Sequence, residues 1–333
     1  MVEKAAVVGI GAMGTVVSHI LATNGVSVSL LARDAEPVEE IFIDRENRRY
    51  LPGVKLSERV RPTNNAEAAF LNAELVISAI PCQYLRREWE HRGPVVPTGV
   101  PIGSVTKGIE VSTLVRPTEI IRAHVPDNPV AVLSGPNIAH ELARCLPATV
   151  VVACESPDVA QLIQETMSTS WFRVYTSQDV VGVELAGGLK NVVALAAGIL
   201  DGLHAGDNAK AALVTRGLVE ISRMGVALGA RPDTFAGLAG VGDLVTTSFS
   251  PHGRNRSAGE RIGQGIPVSE VIEQSTAVIE GIPTTRAVLE LASQENVEMP
   301  ITQAVYEVLF EQKSPLVAIT ELMNRPPKAE DRR

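Results

Sequence analysis

The chain has 333 residues, 45% of them hydrophobic, with 30 Lys+Arg against 38 Asp+Glu for a formal net charge of −8. At about 150 residues per domain this length predicts two domains with a sizeable core, and the composition excludes disordered, collagenous and disulfide-scaffold proteins. The acidic balance argues against a nucleic-acid or anionic-membrane binder, which needs a positive field, but leaves room for one small anion in a locally basic pocket.

The chain opens with an apolar run after Lys4 that resembles a secretory leader, but Gly9, Gly11, Gly14 and a second apolar run from Val26 favour a folded N-terminus. A predicted strand at 5–8 runs into Gly9-Ile10-Gly11-Ala12-Met13-Gly14, and a helix is expected over 12–23. In such a fingerprint Gly9 allows the tight turn, Gly11 lets the backbone approach a pyrophosphate, and Gly14 lets helix and strand pack closely. The anion then sits on the helix N-terminus, so a dinucleotide cofactor is expected. The second predicted strand, 26–31, is followed by Arg33 and Asp34. An acid there suits the ribose 2′-hydroxyl of NAD and an arginine the 2′-phosphate of NADP, so NAD or NADP stays open, beside the plainer reading of a solvated charged pair. Strands predicted at 75–79, 100–105, 130–133, 149–153 and 172–175 alternate with helical stretches, the pattern of a parallel sheet covered by helices.

After about Asp179 the texture changes. Helical patterns follow over 180–203, 209–228, 256–263, 268–274, 284–295 and 301–310, and the Pro-containing charged tail at 324–333 is expected to fray. The expected fold is an α/β Rossmann-type dinucleotide-binding domain over 1–178 followed by an all-α helical domain over 179–333. No stretch reaches 18 uninterrupted apolar residues, so no membrane span is expected. Cys82, Cys145 and Cys154 show no CxxC spacing, which disfavours disulfides and a thiolate metal site and suits a reducing cytoplasm. The six histidines show no metal-ligand spacing, so no metal is expected.

Hydride transfer to a ketone needs a group that protonates the developing alkoxide. Lys190 is the outstanding candidate, since no other Lys or Arg lies between Val174 and Ala209 and a lysine inside an apolar helix must be snorkelling, paired or functional. The neighbouring Gly187 and Gly188 would let a backbone or ligand come close. Lys107 lies past the carboxyl end of a predicted strand, where open α/β sheets bind ligands, though a solvated loop lysine looks the same from sequence. If the two lysines converge, each lowers the other's pKa, as does desolvation. Asp243 follows a glycine-rich turn and either orients a lysine or caps a helix. Arg254 and Asn255, beside an expected helix N-terminus, suit a phosphate, with a solvated basic turn as the rival reading.

Taken in order, the chain resembles the soluble, bacterial-type NAD(P)-dependent glycerol-3-phosphate dehydrogenases. The resemblance rests on Gly9 to Gly14, Tyr50-Leu-Pro-Gly53, Val105-Thr-Lys-Gly-Ile-Glu110, Leu133-Ser-Gly-Pro136 with Ala139, Glu184 to Asn191, Gly240-Val-Gly-Asp-Leu244, Gly253-Arg-Asn255, Val278-Ile-Glu-Gly281 and Met299-Pro-Ile301. It implies reversible reduction of dihydroxyacetone phosphate to sn-glycerol 3-phosphate for phospholipid synthesis, with Lys190 as proton acceptor of the oxidative direction. It further implies substrate contacts from Lys107, Gly135, Asn137, Lys190, Asp243, Gly253, Arg254 and Asn255. Cofactor contacts would come from Ala12, Met13, Arg33, Lys107, Ala139, Arg254, Val278 and Glu280. The family pattern often has Ser and an aromatic where this chain has Ala12 and Met13. It often has Ser or Thr at Asn137, Cys at Thr247 and Ser at Gly253. Two alternatives stand beside this: a β-hydroxyacid or ketopantoate-type reductase, and a non-catalytic NAD(P)H-sensing regulator. The apolar helical half makes a homodimer the expected assembly.

Overall fold

The computed structural model describes residues 2–275, 277–327 and 329–330. Eight strands form one sheet: β1 (Lys4–Val8), β2 (Ser27–Leu31), β3 (Val60–Thr63), β4 (Leu75–Ser78), β5 (Ile102–Ser104), β6 (Val130–Ser134), β7 (Ala148–Ala153) and β8 (Phe172–Ser177). Their order is β3-β2-β1-β4-β5-β6-β7-β8. The central strands β1, β4 and β6 are short, mostly Val/Ile/Leu/Ala runs, and β4 and β6 are buried throughout, as strands covered by helices on both faces must be. Val8 pairs with Leu31 on one side and Ser78 on the other, so the loop after β1 opens where the strand order reverses. That switch point is where such sheets leave a crevice for ligands.

Two details differ from the sequence reading. β6 and β7 run antiparallel, whereas the other neighbouring pairs are parallel. β3 is not among the strands expected from sequence; Val60–Thr63 contains Pro62, and the strand survives at the sheet edge, where a missing backbone donor is tolerated.

From Val180 onward the described regular elements are helices. The Val180–Gly202 helix is the axis of this half, with every residue buried except Val181 and Asp201. Asp179 starts it, its Oδ1 accepting from the Gly182 N–H at 2.9 Å. By length and composition this helix could cross a membrane, a possibility the uninterrupted-run rule did not raise; 94% of its most apolar window is buried within the protein. It lies directly against the Arg254–Gly263 helix. A Cβ on Gly198 or Gly202 would overlap the carbonyls of Arg256 and Glu260, and one on Gly259 or Gly263 those of Leu195 and Ile199. Two glycines on each helix thus bring the backbones into contact. The helices Pro232–Phe235, Asp243–Phe249 and Pro315–Met323 and the π-helical turn Leu238–Gly242 were not anticipated. Of the tail expected to fray, Lys328 and residues 331–333 lie outside the described residues.

Candidate active site

A cleft of about 960 Å³ lies between the carboxyl edge of the sheet and the helical half. Its floor at the switch point is the glycine loop. Gly9 holds φ 107°, and a Cβ there would stand 2.8 Å from the Ala79 carbonyl oxygen; one on Gly14 would overlap the Gly9 carbonyl. Gly11, by contrast, faces open space and leads the Ala12–Thr23 helix, whose N-terminus has no side-chain cap. Its first N–H groups are left for an anion, which fits the pyrophosphate of a dinucleotide. Across the cleft Glu280 is buried; its Oε1 accepts from the Cys82 N–H at 3.1 Å while Oε2 has no partner, a vacancy that suits a polar ligand atom. Burial raises this carboxyl to about 7. Ala12, Met13, Ala139 and Val278 complete the apolar walls.

The polar end of the cleft is a triad in which Lys190 and Asp243 are buried and Lys107 is half-buried. Asp243, 2% exposed, starts the Asp243–Phe249 helix and lies between two ammonium groups. Lys190 Nζ donates to Asp243 Oδ1 at 2.6 Å and Lys107 Nζ to Oδ2 at 2.6 Å. Lys190 also donates to Thr247 Oγ1, and Lys107 to Asn137 Oδ1 at 2.9 Å and the Gly135 carbonyl at 3.5 Å. Two cations on one carboxylate leave a net positive site, so burial costs are only partly offset. Burial pushes the Lys190 ammonium down to about 7, with Lys107 acting in the same direction and Asp243 against. Burial would raise the Asp243 carboxyl, but Lys107 and Lys190 hold it below its ordinary value.

The convergence expected of Lys107 and Lys190 is therefore present, mediated by Asp243, and Asp243 bridges the lysines from the first turn of its helix. Gly187 and Gly188 admit the sheet's own loops: a Cβ on Gly187 would press on Ser134 and one on Gly188 would lie 3.2 Å from the Gly108 N. The Arg254–Gly263 helix starts two residues earlier than expected, which puts Arg254 and Asn255 in its first turn with no side-chain cap. The Gly253 N–H donates to the Ser250 carbonyl at 3.2 Å, and a Cβ there would come 2.9 Å from the Thr247 carbonyl oxygen. Asn255 is largely spent on structure, its Nδ2 donating to Asn191 Oδ1 at 2.9 Å and its Oδ1 accepting from the Gly281 N–H at 2.9 Å. Arg254 is exposed, donating to the Val278 carbonyl at 3.3 Å. Of the residues expected in the site, Gly14 and Gly135 support the cleft without lining it; the others line it.

Several lining residues escaped the sequence reading. Thr247 was noted only for departing from a family pattern, yet it touches both Lys190 and Asp243. His140 and His252 line the cleft with ring centroids 6.2 Å apart, a pairing that no spacing reveals. Arg33 and Asp34 line it as an exposed ion pair at 3.0 Å. Among the described residues no group of three or more His, Cys, Asp or Glu could hold a metal.

A Rossmann domain, a helical partner and a lysine–carboxylate triad at their junction define a two-domain NAD(P)-dependent dehydrogenase. Residues 4–160 match the model of the NAD-dependent glycerol-3-phosphate dehydrogenase N-terminus and residues 179–320 that of its C-terminus. The chain belongs to the NAD-dependent glycerol-3-phosphate dehydrogenase family. It is 46% identical to the glycerol-3-phosphate dehydrogenase (NAD(P)+) of Citrifermentans bemidjiense over 99% of each chain. It is also 46% identical to that of Geobacillus thermodenitrificans, over 98% of this chain and 96% of the relative. The crystal structure of glycerol-3-phosphate dehydrogenase from Coxiella burnetii superimposes with a TM-score of 0.94 at 33% identity, covering 97% of this chain and 99% of that one. A ketopantoate reductase from Ralstonia eutropha, at 15% identity and a TM-score of 0.58, shares the fold alone.

Proposed function

We propose that the protein reversibly reduces dihydroxyacetone phosphate to sn-glycerol 3-phosphate with NAD(P)H, and that Lys190 is its general acid/base. The observation that carries the assignment is a lysine buried at the cleft, pushed to about 7 and held by a carboxylate shared with a second lysine. When bound, the nicotinamide cofactor supplies the hydride. Lys190 Nζ has three N–H donors; Asp243 and Thr247 take two, and the third is left for the ketone oxygen. In the reductive direction Lys190 gives that proton to the developing alkoxide; in the oxidative direction the neutral amine takes it from the hydroxyl. Lys107, anchored by Asn137 and Asp243, adds positive charge beside the same oxygen. Arg254 and the uncapped start of its helix supply charge and donors for the phosphate.

The same reading places the domain division at 178/179, between β8 and the Val180–Gly202 helix. It carries a homodimer in the cytoplasm, supplying glycerol 3-phosphate for phospholipid synthesis. The test follows nicotinamide absorbance with dihydroxyacetone phosphate, using NADH and NADPH separately, for wild type and Lys190→Ala. Cofactor consumption by the wild type and its near-complete loss in the variant are expected. Absence of consumption with either cofactor overturns the function, and survival of activity in Lys190→Ala overturns the assignment of the proton donor.

A further inference from the structure

The end of the cleft beyond β2 is ringed by three arginines and two acids whose pairing is unequal. Arg33 spends its Nε and Nη2 on Asp34 Oδ2, at 3.1 and 3.0 Å. Arg92 does the same with Glu88, Nε and Nη2 each 2.9 Å from Oε2. These two pairs cancel. Arg49 lines the same cleft, lies over the Tyr50 ring with 5.2 Å to the centroid, and pairs with no carboxylate among the described residues. Tyr50 and Glu88 are within electrostatic reach of Arg33, so the five charges share one region. The single uncompensated charge there is Arg49's.

Its side chain is exposed and backed by Tyr50, while the loop that carries it is anchored. Asn47, 3% exposed, donates from Nδ2 to the Ile10 carbonyl at 2.6 Å and to Thr15 Oγ1 at 2.8 Å. The same loop is closed by the Glu46–Lys55 bridge and by the Gly53 N–H donating to Glu46 Oε1 at 2.9 Å. The segment bearing Arg49 is thus tied to the glycine loop and to the first turn of the helix behind it. In this fold the residues after β2 face the ribose 2′ position of the bound dinucleotide. A guanidinium held there, backed by an aromatic ring and free of any acid, matches a phosphate dianion. Arg33 is less suited, because Asp34 cancels its field and repels an incoming phosphate.

We propose that Arg49, and not Arg33, selects the cofactor by taking the 2′-phosphate of NADP, so that NADPH is the preferred reductant. This rests on the dehydrogenase reading above but is tested apart from turnover. Calorimetric titration with adenosine 2′,5′-bisphosphate and with 5′-AMP compares wild type, Arg49→Gln and Arg33→Gln. The wild type should bind the bisphosphate more tightly. Arg49→Gln should weaken bisphosphate binding about tenfold and leave 5′-AMP within about twofold, and Arg33→Gln should do less. Equal binding of the two fragments by wild type, equal weakening of both in Arg49→Gln, or a larger loss in Arg33→Gln overturns the proposal. Steady-state KM is the second readout: Arg49→Gln should raise it for NADPH and not for NADH. If no ketone is reduced with either cofactor the proposed function falls, and the fragment titrations still decide the role of Arg49.

Discussion

The Val180–Gly202 helix buries two ionisable side chains, Glu184 and Lys190, and houses them in opposite ways. Glu184 Oε1 accepts from the Thr118 N–H at 2.8 Å, and Oε2 from Arg116 Nη1 at 2.7 Å and Thr118 Oγ1 at 2.6 Å. That carboxylate is enclosed and saturated. Lys190 has Asp243 and Thr247 behind it and the cleft in front. Burial pushes both groups toward their neutral forms, raising Glu184 and lowering Lys190 to about 7. The difference lies in what is left over: a charge whose polar atoms are all used ties two halves of a fold together, whereas one with a spare donor facing a cleft can do chemistry.

That contrast breaks most visibly at Lys190. Lys190→Ala should lower kcat/KM by about 10³, roughly 4 kcal/mol, without changing the denaturant midpoint downward, because it removes a buried charge from a site with two cations on one carboxylate. A variant retaining wild-type turnover would erase the distinction. Glu184→Ala should behave inversely. It strands Arg116 and Thr118, so urea unfolding should show a loss of about 3 kcal/mol while kcat per folded molecule holds within about twofold. At the phosphate end, Arg254→Ala should raise KM for dihydroxyacetone phosphate by about 30-fold, roughly 2 kcal/mol, with kcat little changed; an unchanged KM would remove Arg254 from the substrate. The finest test is pH. Reduction needs Lys190 as ammonium, so its kcat/KM should fall as pH rises through about 7, and oxidation should rise over the same interval. Parallel profiles for the two directions would mean that another group moves the proton.

Much of this was legible in the sequence. β1, the glycine loop and the following helix form one local unit whose residue types each have a steric reason, and Lys190 stood out because its neighbours are apolar. What stayed hidden depends on partners distant in the chain. The antiparallel setting of β7 has no signal, since Ala148–Ala153 reads equally well in either direction. Asp243 was visible as a residue after a glycine turn, but its bridge between Lys107 and Lys190 spans 136 and 53 positions of chain. Arg49 carried no pattern; its lack of an acid partner becomes visible only when Asp34 and Glu88 are seen to be taken.

The glycine contacts between the Val180–Gly202 and Arg254–Gly263 helices have a consequence for selectivity. Lys190 sits on one of these helices and Arg254 on the other, and carbonyls of each lie where a Cβ of the other would go. The backbone spacing between the proposed proton donor and the proposed phosphate contact is thereby set by two helices in direct contact, which give far less than side chains do. With Lys190 and Arg254 in the proposed roles, the pair would work as a caliper, closed to its stop, on the molecule between its jaws. A methyl group added at Gly259 would meet the Leu195 carbonyl and open the caliper, and on the proposed roles KM for dihydroxyacetone phosphate should rise before kcat falls.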